Sequence, residues 1–151
     1  MFAPLSQLAF TLVELIVGMA VLGIIIGFSV SGFQNFANYQ QFDQAVAGVS
    51  ATLRQAQNDA RTADGDAEKG IKILSNSVVT FVGSTYTAGN ATNITTTFSA
   101  VTLTPALSGG VDEIVFTRLT GAPSAVGTVT IVSTKTGNSA VVEVTTAGVI
   151  Q

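Results

Sequence analysis

The sequence contains no histidine, no cysteine and no tryptophan among its 151 residues. Histidine and cysteine supply many protein metal sites, the thiol nucleophile and the commonest general base, so an enzyme would have few catalytic groups here. We therefore expect no enzymatic activity, no cofactor and no metal site. The lack of cysteine also excludes a disulfide framework, so bridges give no information about the redox compartment.

Charged residues are scarce as well, at 10% of the chain with a net charge of −3. A nucleic-acid-binding surface needs clustered lysine and arginine to neutralise phosphates. Arg54 and Arg61 lie seven residues apart and share one predicted helix face, but the basic residues as a whole are scattered. We do not expect DNA as a partner.

A long apolar run occupies residues 10–33 and contains one charged residue, Glu14. Its 24 residues would form a helix of about 36 Å, which is enough to cross the hydrocarbon core of a membrane. A secretory signal peptide is the alternative interpretation. The run is longer than a signal core, and a helical pattern continues past its end, which favours a retained transmembrane helix.

Residues 34–63 follow as an amphipathic helix half, because apolar residues recur at spacings of three and four. No proline interrupts residues 10–63, so both halves can form one helix. The helix is expected to end at the acidic segment 64–68, Asp64-Gly65-Asp66-Ala67-Glu68. This segment could offer oxygens to Ca²⁺, but it matches no complete EF-hand, and a solvated loop is the simpler interpretation. The predicted stripe consists of Phe42, Val46, Val49, Leu53, Ala56 and Ala60.

The remaining residues, 64–151, are rich in threonine, valine and glycine and predict a β-rich globular domain. Turn signals separate the strands, and alternating residues suggest one small antiparallel sheet packed on the helix stripe. The predicted fold is therefore α+β, with a long N-terminal helix packed against a small antiparallel sheet. The candidate strands are Ile71–Leu74, Val78–Val82, Thr95–Leu103, Glu113–Leu119, Thr128–Ser133 and Ala140–Thr145.

Glu14 lies inside the apolar run, where an ionised carboxylate costs a few kcal/mol and calls for a positive partner. No lysine or arginine occurs in residues 1–53. The remaining positive group is a free α-amino group, which would appear if the chain were cut before Phe10. An incidental charge that reaches headgroup water is the alternative interpretation.

The stretch Phe10-Thr11-Leu12-Val13-Glu14-Leu15, followed by an apolar helix, resembles the processing site of type IV pilins and type II secretion pseudopilins. The resemblance implies that residues 1–9 are a leader, that prepilin peptidase cuts between Ala9 and Phe10, and that the new N-terminus is methylated. It further implies that Glu14 meets a neighbouring subunit's amine in the filament. The family usually has glycine where Ala9 stands and basic residues in its leader, which this sequence lacks.

Four glycines, Gly18, Gly23, Gly27 and Gly32, punctuate the apolar helix. They could weaken the helix outside lipid, which many pilins achieve with a proline. They could instead allow close helix packing, because Gly23 and Gly27 form a GxxxG spacing. Both interpretations stay open.

A second resemblance covers residues 113–133 and 140–151, which are similar to the C-terminal half of GspH/FimT-type pseudopilins and minor pilins. Together the resemblances imply a structural subunit of a type IV pilus or pseudopilus. The alternative is a GspH/FimT-type minor pilin in DNA uptake or at the tip of a secretion pseudopilus. A membrane protein that never polymerises is a further alternative.

The expected partners are other subunits in a helical filament, prepilin peptidase and an inner-membrane assembly platform. The chain would span the inner membrane once before assembly and then lie in an extracellular or periplasmic filament. Two glycosylation sequons, Asn90-Ala91-Thr92 and Asn93-Ile94-Thr95, fit a surface loop. The sequence alone does not assign a modification to either.

Overall fold

The computed structural model describes residues 10–62 and 67–148, apart from the side chains of residues 29–32. The chain divides between Ala37 and Asn38 into two compact units. Helix α1, Leu12–Arg61, contributes residues to both units, whereas all the described strands belong to the second. This long helix and the antiparallel strands confirm the predicted α+β fold.

In the second unit α1 buries one apolar face in the core. Five of the six predicted stripe residues are buried, and the sixth, Val46, is half buried against them. Spacings of three and four place these side chains on one side of the helix. The prediction of an amphipathic helix packed on the strands is therefore confirmed. Ala45 and Gln57 are also buried, and the apolar pattern did not identify them.

Among the described residues, seven strands form two antiparallel sheets. The four-stranded sheet has the order β3-β2-β1-β5, and the three-stranded sheet has the order β4-β6-β7. Alternate residues of both sheets point into one core that they share with α1. The strands are β1 Lys69–Ile73, β2 Ser77–Val82, β3 Ile94–Thr97, β4 Val101–Leu107, β5 Glu113–Phe116, β6 Gly127–Ser133 and β7 Ser139–Val144.

The prediction of one sheet and of a continuous strand Thr95–Leu103 was wrong. The chain leaves the four-stranded sheet at Phe98, whose ring lies against the helix at Gly48, and Ala100 then adopts a positive φ of 61°. β4 begins at the next residue and pairs with β6 in the other sheet. A left-handed alanine is rare, and no glycine or proline marks this crossing in the sequence.

The end of α1 is joined to the loop after β5. The predicted strand Glu113–Leu119 stops at Phe116, because Leu119 turns with a φ of 70° and its N–H donates to the Ala60 carbonyl at 2.8 Å. Buried Gln57 donates its side-chain amide to the Gly121 carbonyl at 3.1 Å. The first bond gives a partner to a carbonyl in the last helical turn, and the second gives one to a buried side-chain amide. Leaving either group without a hydrogen bond would cost free energy.

A small cluster covers the outer face of the four-stranded sheet. The Phe81 ring lies over Gly70, where a Cβ would come within 2.2 Å of it, and the Tyr86 ring packs edge-on at 5.7 Å. The Lys72 ammonium lies 5.8 Å from the centre of the Tyr86 ring and pairs with Asp112. The hydrogen bond from Lys72 lowers the pKa of the Asp112 carboxyl below its ordinary value.

Candidate assembly site at the helix N-terminus

Thr11 and Glu14 form a reciprocal cap at the start of α1. The Glu14 N–H donates to the Thr11 hydroxyl at 3.3 Å, and the Thr11 N–H points to the Glu14 Oε2 atom at 3.4 Å. Thr11 precedes the first helical residue and Glu14 is the third, which is the spacing of a capping box. Both bonds lie at the long end of the range for hydrogen bonds. Sequence reasoning missed Thr11, although the Thr-x-x-Glu spacing before an apolar run is a recognised signal.

The Glu14 carboxylate keeps an oxygen available for a second donor. Both contacts from Thr11, its N–H and its hydroxyl at 3.4 Å, reach the same atom, Oε2. Within residues 10–62 and 67–148, no donor reaches Oε1. An ionised carboxylate can accept about four hydrogen bonds, so the two contacts of the cap leave about half of this capacity unused. The carboxylate can therefore hold the cap and bind an ammonium group at the same time.

The helix around Glu14 exposes an apolar surface on every side. Phe10 is 82% exposed, and each large apolar residue of α1 from Leu12 to Phe28 is at least half exposed. An apolar surface of this extent marks contact with a membrane or with other proteins. By length and composition, α1 is the one helix among the described residues that could cross a membrane. None of its most apolar stretch is buried inside the protein.

The predicted glycines lie on this exposed helix. A Cβ at Gly18, Gly23 or Gly27 would meet no atom within 4 Å beyond the local helix backbone. Contacts among the described residues of this chain therefore do not require glycine at these three positions. Gly32 also lies within α1, but it is one of residues 29–32, whose surroundings fall outside the described part of the structure. A role in helix packing or flexibility stays a prediction for all four.

Other predicted features lie outside the described residues. These are the leader 1–9 with Ala9 of the processing site, residues 64–66 of the acidic segment, and residues 149–151. The described side of the processing site, Phe10, is exposed and precedes α1. The roles of Ala9, Phe10 and Glu14 in processing and assembly stay predictions.

Arg61, one of the two arginines considered for phosphate binding, holds the protein's own backbone. Its Nε atom donates to the Thr120 carbonyl at 3.3 Å, and Nη2 donates to the Ala147 carbonyl at 3.4 Å. The guanidinium thus joins the end of α1 to the β5–β6 loop and to the segment after β7. A positive group in the last helical turn also interacts favourably with the helix dipole.

Comparison with known proteins found one matching sequence motif and one similar solved structure. Residues 5–30 match the family model described as the prokaryotic N-terminal methylation motif. The structure is similar to the crystal structure of the Pseudomonas aeruginosa type IV minor pilin FimU, with a TM-score of 0.57 and 19% identity over 77% of this chain and 90% of that one. A search of curated proteins found no significant match. The chain therefore contains the methylation motif at residues 5–30, and its fold is similar to that of a type IV minor pilin.

Proposed function

We propose that the chain is a structural subunit of a type IV filament, either a pilus or a type II secretion pseudopilus. The observation that carries this proposal is the methylation motif over residues 5–30, which overlaps the exposed apolar part of α1 where Glu14 is the one carboxylate. The fold shared with a minor pilin supports it. The absence of histidine and cysteine is consistent with a structural role.

In this proposal prepilin peptidase cuts between Ala9 and Phe10 while α1 anchors the chain in the inner membrane. The cut creates an α-amino group next to the apolar surface, and the Glu14 Oε1 atom of an adjacent copy accepts it. The pair removes the cost of an uncompensated charge in an apolar environment, which amounts to a few kcal/mol. A contact between unlike surfaces that does not close generates a helical filament, which the assembly platform would extend outward.

A minor subunit is the second candidate, and the likeness to FimU, itself described as a type IV minor pilin, favours it. A GspH/FimT-type role in DNA uptake receives less support, because Arg61 is committed to the Thr120 and Ala147 carbonyls. The tip of a secretion pseudopilus stays open. The copy number of this chain relative to other subunits in filaments purified from native cells separates a shaft subunit from a minor one.

The decisive experiment replaces Glu14 and follows incorporation into filaments. Glu14→Gln and Glu14→Ala should reduce incorporation by at least about tenfold, because loss of the charge removes the pairing free energy. The membrane-bound monomer should persist at its normal level. Sheared filaments and membrane fractions, quantified by immunoblot, provide the two readings.

Glu143→Gln is the matched control, since Glu143 is an exposed carboxylate on β7, and it should assemble normally. Normal incorporation of both Glu14 variants would contradict the pairing. The intact mass and N-terminal sequence of the wild-type filament subunit should show methylated Phe10 as the first residue. A subunit that begins at Met1 would contradict the processing step.

A further inference from the structure

The loop between β2 and β3, residues 83–93, contains one complete sequon and the asparagine of a second. The assembly site does not involve this loop. One residue of the loop, Tyr86, packs against buried Phe81 on the outer face of the four-stranded sheet, and this contact holds the loop on the sheet. The two asparagines, Asn90 and Asn93, are three residues apart, yet their side chains have opposite environments.

Asn90 presents its amide nitrogen to solvent. Its Oδ1 atom accepts the Thr92 N–H at 3.1 Å and the Thr92 hydroxyl at 3.0 Å. Asn90, Ala91 and Thr92 are all exposed. Among the described residues, the Asn90 Nδ2 atom has no acceptor. The sequon is therefore folded so that its threonine holds the amide oxygen and leaves the nitrogen free.

Asn93 uses its amide nitrogen to fold the loop. Its Nδ2 atom donates to the Thr87 carbonyl at 2.9 Å, and its Oδ1 atom is buried with no hydrogen-bond partner in the described structure. The residue is half buried. A sugar on this nitrogen would replace one of its two hydrogens and would have to be accommodated beside the Thr87 bond at a half-buried side chain. Asn93 is therefore the less accessible of the two asparagines.

We propose that Asn90, and not Asn93, is a site of N-linked glycosylation. The donor class is a lipid-linked sugar, a polyprenyl phosphate or diphosphate glycoside, used by a membrane transferase on the outer side of the membrane. The Asn90 Nδ2 atom forms a bond to the anomeric carbon, and the bond from that carbon to the phosphate oxygen breaks. The phosphate leaves with the electron pair, and the amide proton passes to a carboxylate of the transferase. The Thr92 hydroxyl, hydrogen-bonded to Oδ1, withdraws electron density from the amide and favours loss of that proton.

The test uses full-length protein exported by its native cells and purified in detergent. Trypsin cuts after Lys72 and Arg118, so both sequons fall in one peptide. Electron-transfer fragmentation, which keeps glycans attached, should place a saccharide on Asn90. Release of an N-glycan by an amidase in heavy-oxygen water should convert Asn90 to labelled aspartate.

Matched variants separate the two asparagines. Asn90→Gln and Thr92→Ala should remove the saccharide completely, whereas Asn93→Gln should retain it, and Thr92→Ser should retain it because the hydroxyl is kept. Thermal melting of each variant checks that the fold is intact. An unmodified wild-type peptide would overturn the proposal, as would a saccharide on Asn93 or on a serine or threonine hydroxyl. Filament assembly is a separate measurement, so either proposal can fail alone.

Discussion

At the scale of single residues, Gly127 is held in a position that no other residue can occupy without strain. It begins β6 with a φ of 146°, opposite Leu107 of β4. A Cβ built there would lie 2.2 Å from the Ala106 carbonyl oxygen. The neighbouring atom belongs to the backbone of a paired strand, so it cannot move aside as a flexible side chain could. Both the backbone conformation and the close approach require glycine.

We predict that Gly127→Ala destabilises the fold by about 2 to 4 kcal/mol, from backbone strain together with the forced separation of β4 and β6. Hydrogen exchange of the β6 amides in the full-length protein in detergent should accelerate by about thirtyfold or more. Gly137→Ala is the control. It also has a positive φ, 75°, but a Cβ there meets no atom within 4 Å, so the cost should be about 1 kcal/mol. Equal losses in the two variants would contradict the steric explanation.

At the scale of elements, the start of α1 depends on a short polar motif beside an apolar surface. The first helical N–H groups have no partners within the helix, and in lipid no water replaces them. The Thr11 hydroxyl accepts one of these groups, the Glu14 N–H. Thr11 therefore has a role separate from the pairing proposed for Glu14, and the two roles can be measured separately.

We predict that Thr11→Ala weakens the first turn by about 1 kcal/mol, a typical cost for losing an N-cap. The Glu14 amide should then exchange about five times faster in detergent micelles, measured by NMR. Thr11→Ser keeps the hydroxyl and should leave the exchange rate within about twofold of the wild type. Faster exchange in the serine variant, or no change in the alanine variant, would show that the hydroxyl does not cap the helix.

The helix stripe could be predicted from the sequence, whereas the ends of two strands could not. The stripe from Phe42 to Ala60 was predictable because burial of a helix face imposes a regular period on the sequence. The crossing at Ala100 and the turn at Leu119 were not, because tertiary contacts impose a positive φ there on residues that ordinarily avoid it. Local propensity favours continuing both strands, and the packing of Phe98 and the bond from Leu119 to Ala60 override it.

The candidate assembly site also has a part that the sequence predicts and a part that it does not. Glu14 was identifiable because a charge in an apolar run violates the composition around it, and the Thr11 cap was also encoded in the residue spacing. The partner expected for Glu14 is an amine created by processing and supplied by another copy. A single unprocessed chain contains neither, so neither its sequence nor its structure can display the pair.

At the scale of the whole molecule, burial is distributed very unevenly along the chain. Among the residues whose burial is described, Phe42 is the first buried one, and every later core residue belongs to the second unit. The described large apolar residues up to Phe36 are all exposed. Apolar burial is the main favourable contribution to folding, so the first unit adds little to the stability of the core. The residues that stabilise the fold and those proposed to hold the filament together are therefore different.

We predict that a chain beginning at Asn38 folds by itself, stays monomeric and needs no detergent. It retains the whole stripe and both sheets, so its thermal midpoint should lie within a few degrees of that of the full chain in detergent. A chain beginning at Arg54 is the control, because it loses Phe42, Val49 and Leu53. Removing three such buried side chains costs on the order of 6 kcal/mol or more, which is comparable to the entire stability of a small domain. Circular dichroism should show a cooperative transition for the first chain and none for the second, and an unfolded first chain would mean that residues before Asn38 stabilise the core.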